Sequence, residues 1–252
     1  NNKEAQFILG MIYYKGNDLT RDINKSIHYM TLFANLNYSR AQYFFWKIYF
    51  SSKYMKQDIN KSIHYLTLSA DQNYVYAQFN LGVIYYVGKY ITRDINKSIY
   101  YFTLSANQNH SEAQYYLGKI YFEGIYIARD INKSIYYYTL SANQNDSESQ
   151  CILGIIYYDK IYITCDIKKS IHYFTLSAKQ NNSYALLSLG EIYYTDKYLK
   201  DIKKSIYYYT LSANLNNSDA QGYLGVIYLG EPEFCNINLG LKYLILSSNQ
   251  NN

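Results

Sequence analysis

The 252-residue chain is long enough for one large domain or two ordinary ones. With 49% hydrophobic and 19% aromatic residues, it has the apolar surface to bury a core, which excludes intrinsic disorder. A single Pro and 12 Gly are too few turn formers for many short strands, so helices are expected and a β-sandwich is not. The net charge of +5 comes from 24 basic and 19 acidic residues without like-charge runs, and gives no nucleic-acid or membrane footprint. Cys151, Cys165 and Cys235 have neither CxxC nor zinc-ligand spacing, so no disulfide framework or metal site is expected, and a reducing, cytoplasmic setting fits. No apolar run approaches the ~18 to 20 residues of a membrane span, and no secretory leader opens the chain. Because Asn1 stands where an initiator Met would be, the chain reads as a fragment of a longer protein.

Self-similarity organises the rest. Ala5-Gln6 returns at Ala41-Gln42, Ala77-Gln78 and Ala113-Gln114, then as Ser149-Gln150, Ala185-Leu186 and Ala220-Gln221. A second marker, Asp followed by Ile, falls at Asp22, Asp58, Asp94, Asp130, Asp166 and Asp201, with the same one-residue contraction near the end. Two markers in step define seven copies, approximately residues 3–38, 39–74, 75–110, 111–146, 147–182, 183–217 and 218–252, which form one repeat domain.

Taken along the chain, each copy predicts two helices. In the fourth, Ala113, Tyr116, Leu117, Ile120 and Tyr121 form one helical stripe. Ser111 with Gln114 has the spacing of a capping box, repeated at Ser39/Gln42, Ser147/Gln150 and Ser218/Gln221, and Gly124 stands where the helix should stop. The second helix opens on an Asp N-cap, as at Asp94, runs through Ile95, Ile99, Phe102, Ser105 and Ala106, and closes in an Asn-rich turn at 107–109. Apolar over more than half its circumference, this helix needs neighbours on several sides, which stacked copies supply.

The segment Ala-Gln-Tyr-Tyr-Leu-Gly-Lys-Ile-Tyr-Phe-Glu-Gly (113–124), followed by Asp130, Lys133-Ser134 and Ser141-Ala142, resembles the Sel-1-like repeat of the tetratricopeptide-like superfamily. The resemblance covers essentially the whole chain. It implies an all-α, right-handed superhelical solenoid whose first helices line a concave wall, and a non-catalytic adaptor that assembles signalling or quality-control complexes. Three departures stand out. Ser26, Ser62, Ser98, Ser134, Ser170 and Ser205 replace the usual Ala. Trp46 replaces the first-helix Gly of copy two, where it should spread the helices or turn outward. Copy seven drifts, with Pro232 in its loop, Asn236 for the capping Asp and Gly240 for Ser. Neither end has an obvious polar cap, and Tyr243, Leu244, Ile245 and Leu246 suggest continuation of the array or packing on other domains of the parent chain.

The first helix has a second face, written in copy four by Glu112, Tyr115, Lys119, Phe122 and Glu123, to which Tyr43 and Phe79 also belong. Its Lys119 position reads Met11, Lys47, Val83, Lys119, Ile155, Glu191 and Val226 along the chain, as a surface fitted to a non-repeating partner would, although an unconstrained solvated face would vary too. A second series, Tyr14, Phe50, Tyr86, Phe122, Tyr158 and Tyr194, is aromatic until Leu229. It reads either as a peptide-anchoring ladder or as packing between successive first helices. His28, His64 and His172 occupy a position that elsewhere holds Tyr100, Tyr136 and Tyr207, a surface site rather than a metal ligand. No HExxH, GxGxxG, GxxxxGK or GxSxG motif is present, so no catalysis and no cofactor are expected.

The leading expectation is therefore a scaffold that holds a protein or peptide in a groove. Its rival is a regulatory or oligomerising arm of a larger enzyme such as a protein kinase. RNA reading by helical repeats would need a basic groove, whereas Glu4, Glu112, Glu123, Glu148 and Glu191 stand beside Arg40, Lys47 and Lys119 on the presumed inner face.

Overall fold

A computed structural model describes residues 3–16, 21–34, 38–51 and 56–250. Every regular element among them is helical, and no strand occurs among the described residues. The chain divides into two compact units, residues 1–117 and 118–252. The first contains α1 (Lys3–Lys15), α2 (Ile23–Ala34), α3 (Ser39–Phe50), α4 (Ile59–Asp71), α5 (Val75–Val87), α6 (Ile95–Asn107) and the first half of α7 (Ser111–Glu123). The second contains the rest of α7, then α8 (Ile131–Asn143), α9 (Ser147–Tyr158), α10 (Ile167–Ala178), α11 (Ser183–Thr195), α12 (Ile202–Asn214), α13 (Ser218–Gly230) and α14 (Ile237–Gln250). A 3-10 turn at Pro232–Phe234 precedes the last helix. Within each unit, consecutive helices pack as antiparallel pairs and successive pairs stack.

Local chemistry sets the boundaries. Asp58, Asp94, Asp130, Asp166 and Asp201 each accept a hydrogen bond from the backbone amide three residues on, the expected N-cap geometry, and Asn236 does the same for Leu239 N. First helices are capped differently from the expectation. Ser111 and its equivalents lie one residue inside the helix, and the cap is the preceding side chain: Asp146, Asn182 and Asn217 accept from Ser149, Ala185 and Ala220 N. Gln therefore takes no part in a capping box. It is buried and joins copies instead: Gln78 Nε2 donates to the Ala70 carbonyl at 3.3 Å, and Gln78 Oε1 accepts from Gln108 Nε2 at 2.7 Å. Gln150 repeats both contacts with Ala142 and Gln180.

The Asn-rich turns have a specific geometry. Asn73, Asn109, Asn145, Asn181 and Asn216 all take φ between 60° and 68°. At the first of them, Asn73 N donates to Ala70 O and Tyr74 N to Ser69 O, the paired bonds of a Schellman motif, which tolerates Asn better than most side chains. Gly88 and Gly124 end α5 and α7 at φ 69° and 63°, as the position of Gly124 predicted.

Each helix pair closes on one contact between its members. A Cβ added at Gly82 would lie 2.5 Å from the Phe102 ring, and one at Gly190 2.5 Å from the Tyr209 ring. Just beside it, the Ser that replaces Ala hydrogen-bonds across the pair: Ser98 Oγ to Gly82 O at 2.9 Å, Ser170 Oγ to Gly154 O at 2.8 Å and Ser205 Oγ to Gly190 O at 2.9 Å. In these copies Ser is thus both small and a donor at a buried site, whereas the buried Ser134 Oγ has no hydrogen-bond partner among the described residues. Copy two keeps this arrangement around Trp46. Its facing residue is Leu66 rather than an aromatic, and Ser62 Oγ still reaches Trp46 O at 3.1 Å. The indole packs along its own helix on Tyr43 and Phe50, with centroids 5.0 and 5.8 Å away, so the pair is not spread.

Candidate peptide-binding face

In residues 38–117 the varied face of the first helices is filled by its own rings. Tyr43 is half-buried among Trp46, Tyr74 and Tyr76, and its hydroxyl accepts from Asn80 Nδ2 at 3.1 Å. Burial pushes its phenol up to about 12. The Lys47 ammonium lies 4.7 Å over the Tyr43 ring, and burial, with Lys15 nearby, holds it below the usual lysine value. Phe79 packs on His110 at 4.7 Å and on Phe102 and Tyr116 at 5.8 and 5.9 Å. His110 caps α7 through Nδ1, and burial lowers its pKa. Tyr115 stands edge-on to Tyr116.

The aromatic ladder runs largely between copies. Phe50 meets Tyr90 of the next copy at 5.0 Å, Tyr86 meets Tyr116 at 5.7 Å, and Phe122 meets Tyr162 at 5.1 Å. Tyr194 donates its hydroxyl to Glu231 Oε1 at 3.3 Å. Lys119 and Glu123 pair with each other at 3.7 Å. Tyr158 is 39% exposed.

Residues 118–250 leave the same face open. One position reads Phe7, Tyr43, Phe79 and Tyr115 in the first four copies, then Cys151, Leu187 and Gly222. Two depressions lie on this face, the second of them where Leu187 and Gly222 replace the rings. One, of about 690 Å³, is lined by Ile155, Tyr158, Lys160, Phe174, Ser188 and Glu191 among others. The second, of about 310 Å³, has Leu187, Glu191, Asp219, Gly222, Tyr223 and Val226 on its walls. Glu191 belongs to both. Burial raises its carboxyl above the usual value of 4.5, partly offset by a hydrogen bond from the Tyr223 hydroxyl, and no Lys or Arg pairs with it among the described residues. Cys151 below the face is buried and its thiol is pushed up to about 12, which keeps it protonated and unreactive. The twelve sequence-derived candidates thus fall into two neighbourhoods. Ser188, Asp219, Gly222 and Tyr223 were not among them, although the loss of the ring after Tyr115, at Cys151, Leu187 and Gly222, is legible in the sequence.

The second helices carry a separate regularity. Tyr85 stacks on Tyr101, Tyr121 on Tyr137, Tyr157 on Tyr173 and Tyr193 on Tyr208, at 5.7 to 6.0 Å and nearly parallel. A Lys from each copy caps the first ring, as Lys133 does over Tyr121 at 5.0 Å. His28, His64 and His172 are exposed and edge-on to the adjacent Tyr. No group of His, Cys, Asp and Glu able to hold a metal occurs among the described residues.

A succession of helix pairs, four of them joined to the previous copy by the same Gln contact, with a variable first-helix face, defines a helical-repeat protein. The Sel1 repeat profile matches residues 3–38, 40–74, 75–110, 111–146, 147–182, 183–217 and 218–252, and the chain belongs to the Sel1 repeat family, whose members are generally non-catalytic protein-interaction scaffolds. Among solved structures, a Sel1 repeat protein of Oxalobacter formigenes matches 99% of this chain and 73% of its own length at 23% identity, with a TM-score of 0.76. A protective antigen of uropathogenic Escherichia coli with the same repeat fold is 27% identical over 100% of this chain, with a TM-score of 0.61. The chain spans 62% of that antigen's length. No curated protein matches the sequence. These likenesses assign the all-α solenoid repeat class.

Proposed function

We propose that this chain is a scaffold that holds a peptide or helix of a partner protein on the open first-helix face of residues 147–230, within a signalling or quality-control assembly. The observation that carries the reading is Glu191, a half-buried carboxylate without a cationic partner, set between two depressions whose apolar walls come from Ile155, Tyr158, Leu187 and Val226. Burial strips water from the carboxylate, so a Lys or Arg brought by a ligand gains more there than at an exposed site. An adjoining apolar side chain of the ligand would fill the neighbouring depression.

A random-peptide display selection on the immobilised chain tests this. Selected peptides should combine a Lys or Arg with a large apolar residue, and Gly222→Tyr, which restores the ring of the earlier copies, should weaken them at least tenfold without altering the helical circular dichroism. Peptides that bind equally well after Gly222→Tyr and Glu191→Gln would exclude this face as the site.

A further inference from the structure

The connections from first to second helix differ in kind from the Asn-capped turns at the other end of each pair. In residues 118–250 they present apolar side chains to solvent: Ile125 is 67% exposed, Ile161 80% and Tyr198 87%. These are not scattered. Ile125-Tyr126, Ile161-Tyr162 and Lys197-Tyr198 occupy one place in three successive loops, an aliphatic or Lys followed by Tyr each time. Single exposed apolar residues need no explanation, but the same two-residue tip exposing an apolar side chain in three consecutive copies, at its first residue in Ile125 and Ile161 and at its second in Tyr198, does.

Charge follows the same division. Segments 124–133, 159–169 and 196–204 carry nine Lys and Arg against five Asp, whereas the opposite turns at 143–149, 179–184 and 214–220 carry one Lys against three acids. The five Asp are moreover engaged. Asp130, Asp166 and Asp201 cap helices, and Asp159 and Asp196 accept from loop amides, at 2.9 Å from Ile161 N and 2.9 Å from Tyr198 N. Lys160, Lys168 and Lys197 have no acidic partner among the described residues. Lys197 lies instead 5.7 Å over the Tyr198 ring. The basic residues that look dispersed along the sequence are therefore gathered, copy by copy, at one end of the helix pairs. Neighbouring loops also touch the adjoining copy, through Phe122 and Tyr162 and through Lys203 and Glu233 at 3.8 Å.

We propose that these loop tips form a docking edge for an anionic lipid surface. Aliphatic and Tyr side chains are suited to the boundary between headgroups and acyl chains, Lys stems reach past apolar surface to put the ammonium among phosphates, and the attraction adds up over several bases. The most exposed tips, Ile125, Ile161 and Tyr198, line neither depression and stand out into solvent, which matches a fluid interface better than the fixed relief of an acidic protein. Contact is peripheral, since no described helix is long and apolar enough to cross a membrane. The two surfaces meet at Lys160, which also lines the larger depression, but Ile125, Ile161, Lys168, Lys197 and Tyr198 line neither depression, so membrane contact and peptide capture are separable through them.

Sedimentation with phosphatidylcholine vesicles, with or without about one-third phosphatidylserine, tests the proposal. The whole chain should partition at least tenfold more strongly onto the anionic vesicles, and less so at high salt. Replacing Ile125, Ile161 and Tyr198 by Ser should reduce that partition about tenfold or more. Lys168→Glu with Lys197→Glu should do the same, and Lys179→Glu at the opposite turn should leave it unchanged. All these side chains are exposed, so circular dichroism should not move. Absence of partition overturns the proposal. So does partition that survives the Ser replacements, especially if polyglutamate binds as well, because the edge would then be a polyanion site for an acidic protein.

Discussion

Residues 38–117 and 118–250 are built on the same helix pair, yet the first-helix face is closed in one and open in the other. Tyr43, Phe79 and Tyr115 pack on neighbouring rings, whereas Leu187 and Gly222 line a depression beside Glu191. The difference shows that this repeat separates its duties by position. The Gly and aromatic contact, the Ser bond and the Gln joint hold the frame, and a single neighbouring position decides whether the face is sealed or available.

The largest effect is expected where the frame itself is exchanged between the regions. Gly190→Trp imports the copy-two residue against Tyr209, and with a Cβ only 2.5 Å from that ring it should cost about 3 kcal/mol or more in denaturant unfolding. Adding Tyr209→Leu recreates the Trp46 and Leu66 pairing and should recover at least half of the loss; full additivity of the two changes would show that the pairing is not compensatory. Next comes the joint between copies. Gln150→Ala removes the bond to the buried Ala142 O and takes one of two acceptors, the other being Asn145 Oδ1, from the Gln180 amide, for about 1 to 3 kcal/mol. Asp166→Ala, which deletes one N-cap, should cost about 1 kcal/mol.

The smallest effect distinguishes the open face by its pH response. Burial raises the Glu191 carboxyl, so the folded state holds its proton more tightly than the unfolded chain does. The contribution of this group to stability is full below its ordinary value of 4.5 and is lost as pH rises through the raised folded value. Glu191→Gln should remove that decline, seen as a flatter dependence of the urea midpoint on pH. An unchanged profile would mean that Glu191 is as well hydrated folded as unfolded.

Much of the frame was legible in the sequence because it repeats. The helices, the Asp caps, the Gly124 stop and the seven copies all follow from periodicity and end chemistry. Side-chain partners were harder. The Ser and Gln spacing matched a capping box, but at Ser111, Ser147 and Ser218 an Asx or His residue just upstream provides the cap, Tyr38 before Ser39 provides none, and Gln is drawn to a buried carbonyl of the previous copy that no local pattern reveals. Trp46 read as a disruption because its small partner, Leu66, lies a whole helix away in sequence. The richness in Asn and Tyr, easily taken for bias in an AT-rich coding sequence, has structural work in Schellman turns and stacked pairs. The face was legible as variable, but not which part of it was open, since that depends on whether each ring finds neighbours to pack on.

The joint at Gln78 and Gln150 also bears on how such a chain can change length. Donor, acceptor and spacing recur at Gln78, Gln114, Gln150 and Gln221, so excising one complete period between such junctions would bring together two surfaces already suited to each other. Duplication would do likewise. Gain or loss of whole modules by unequal exchange is thereby tolerated, whereas a break within a period separates each glutamine from its carbonyl and leaves a scar in the interior.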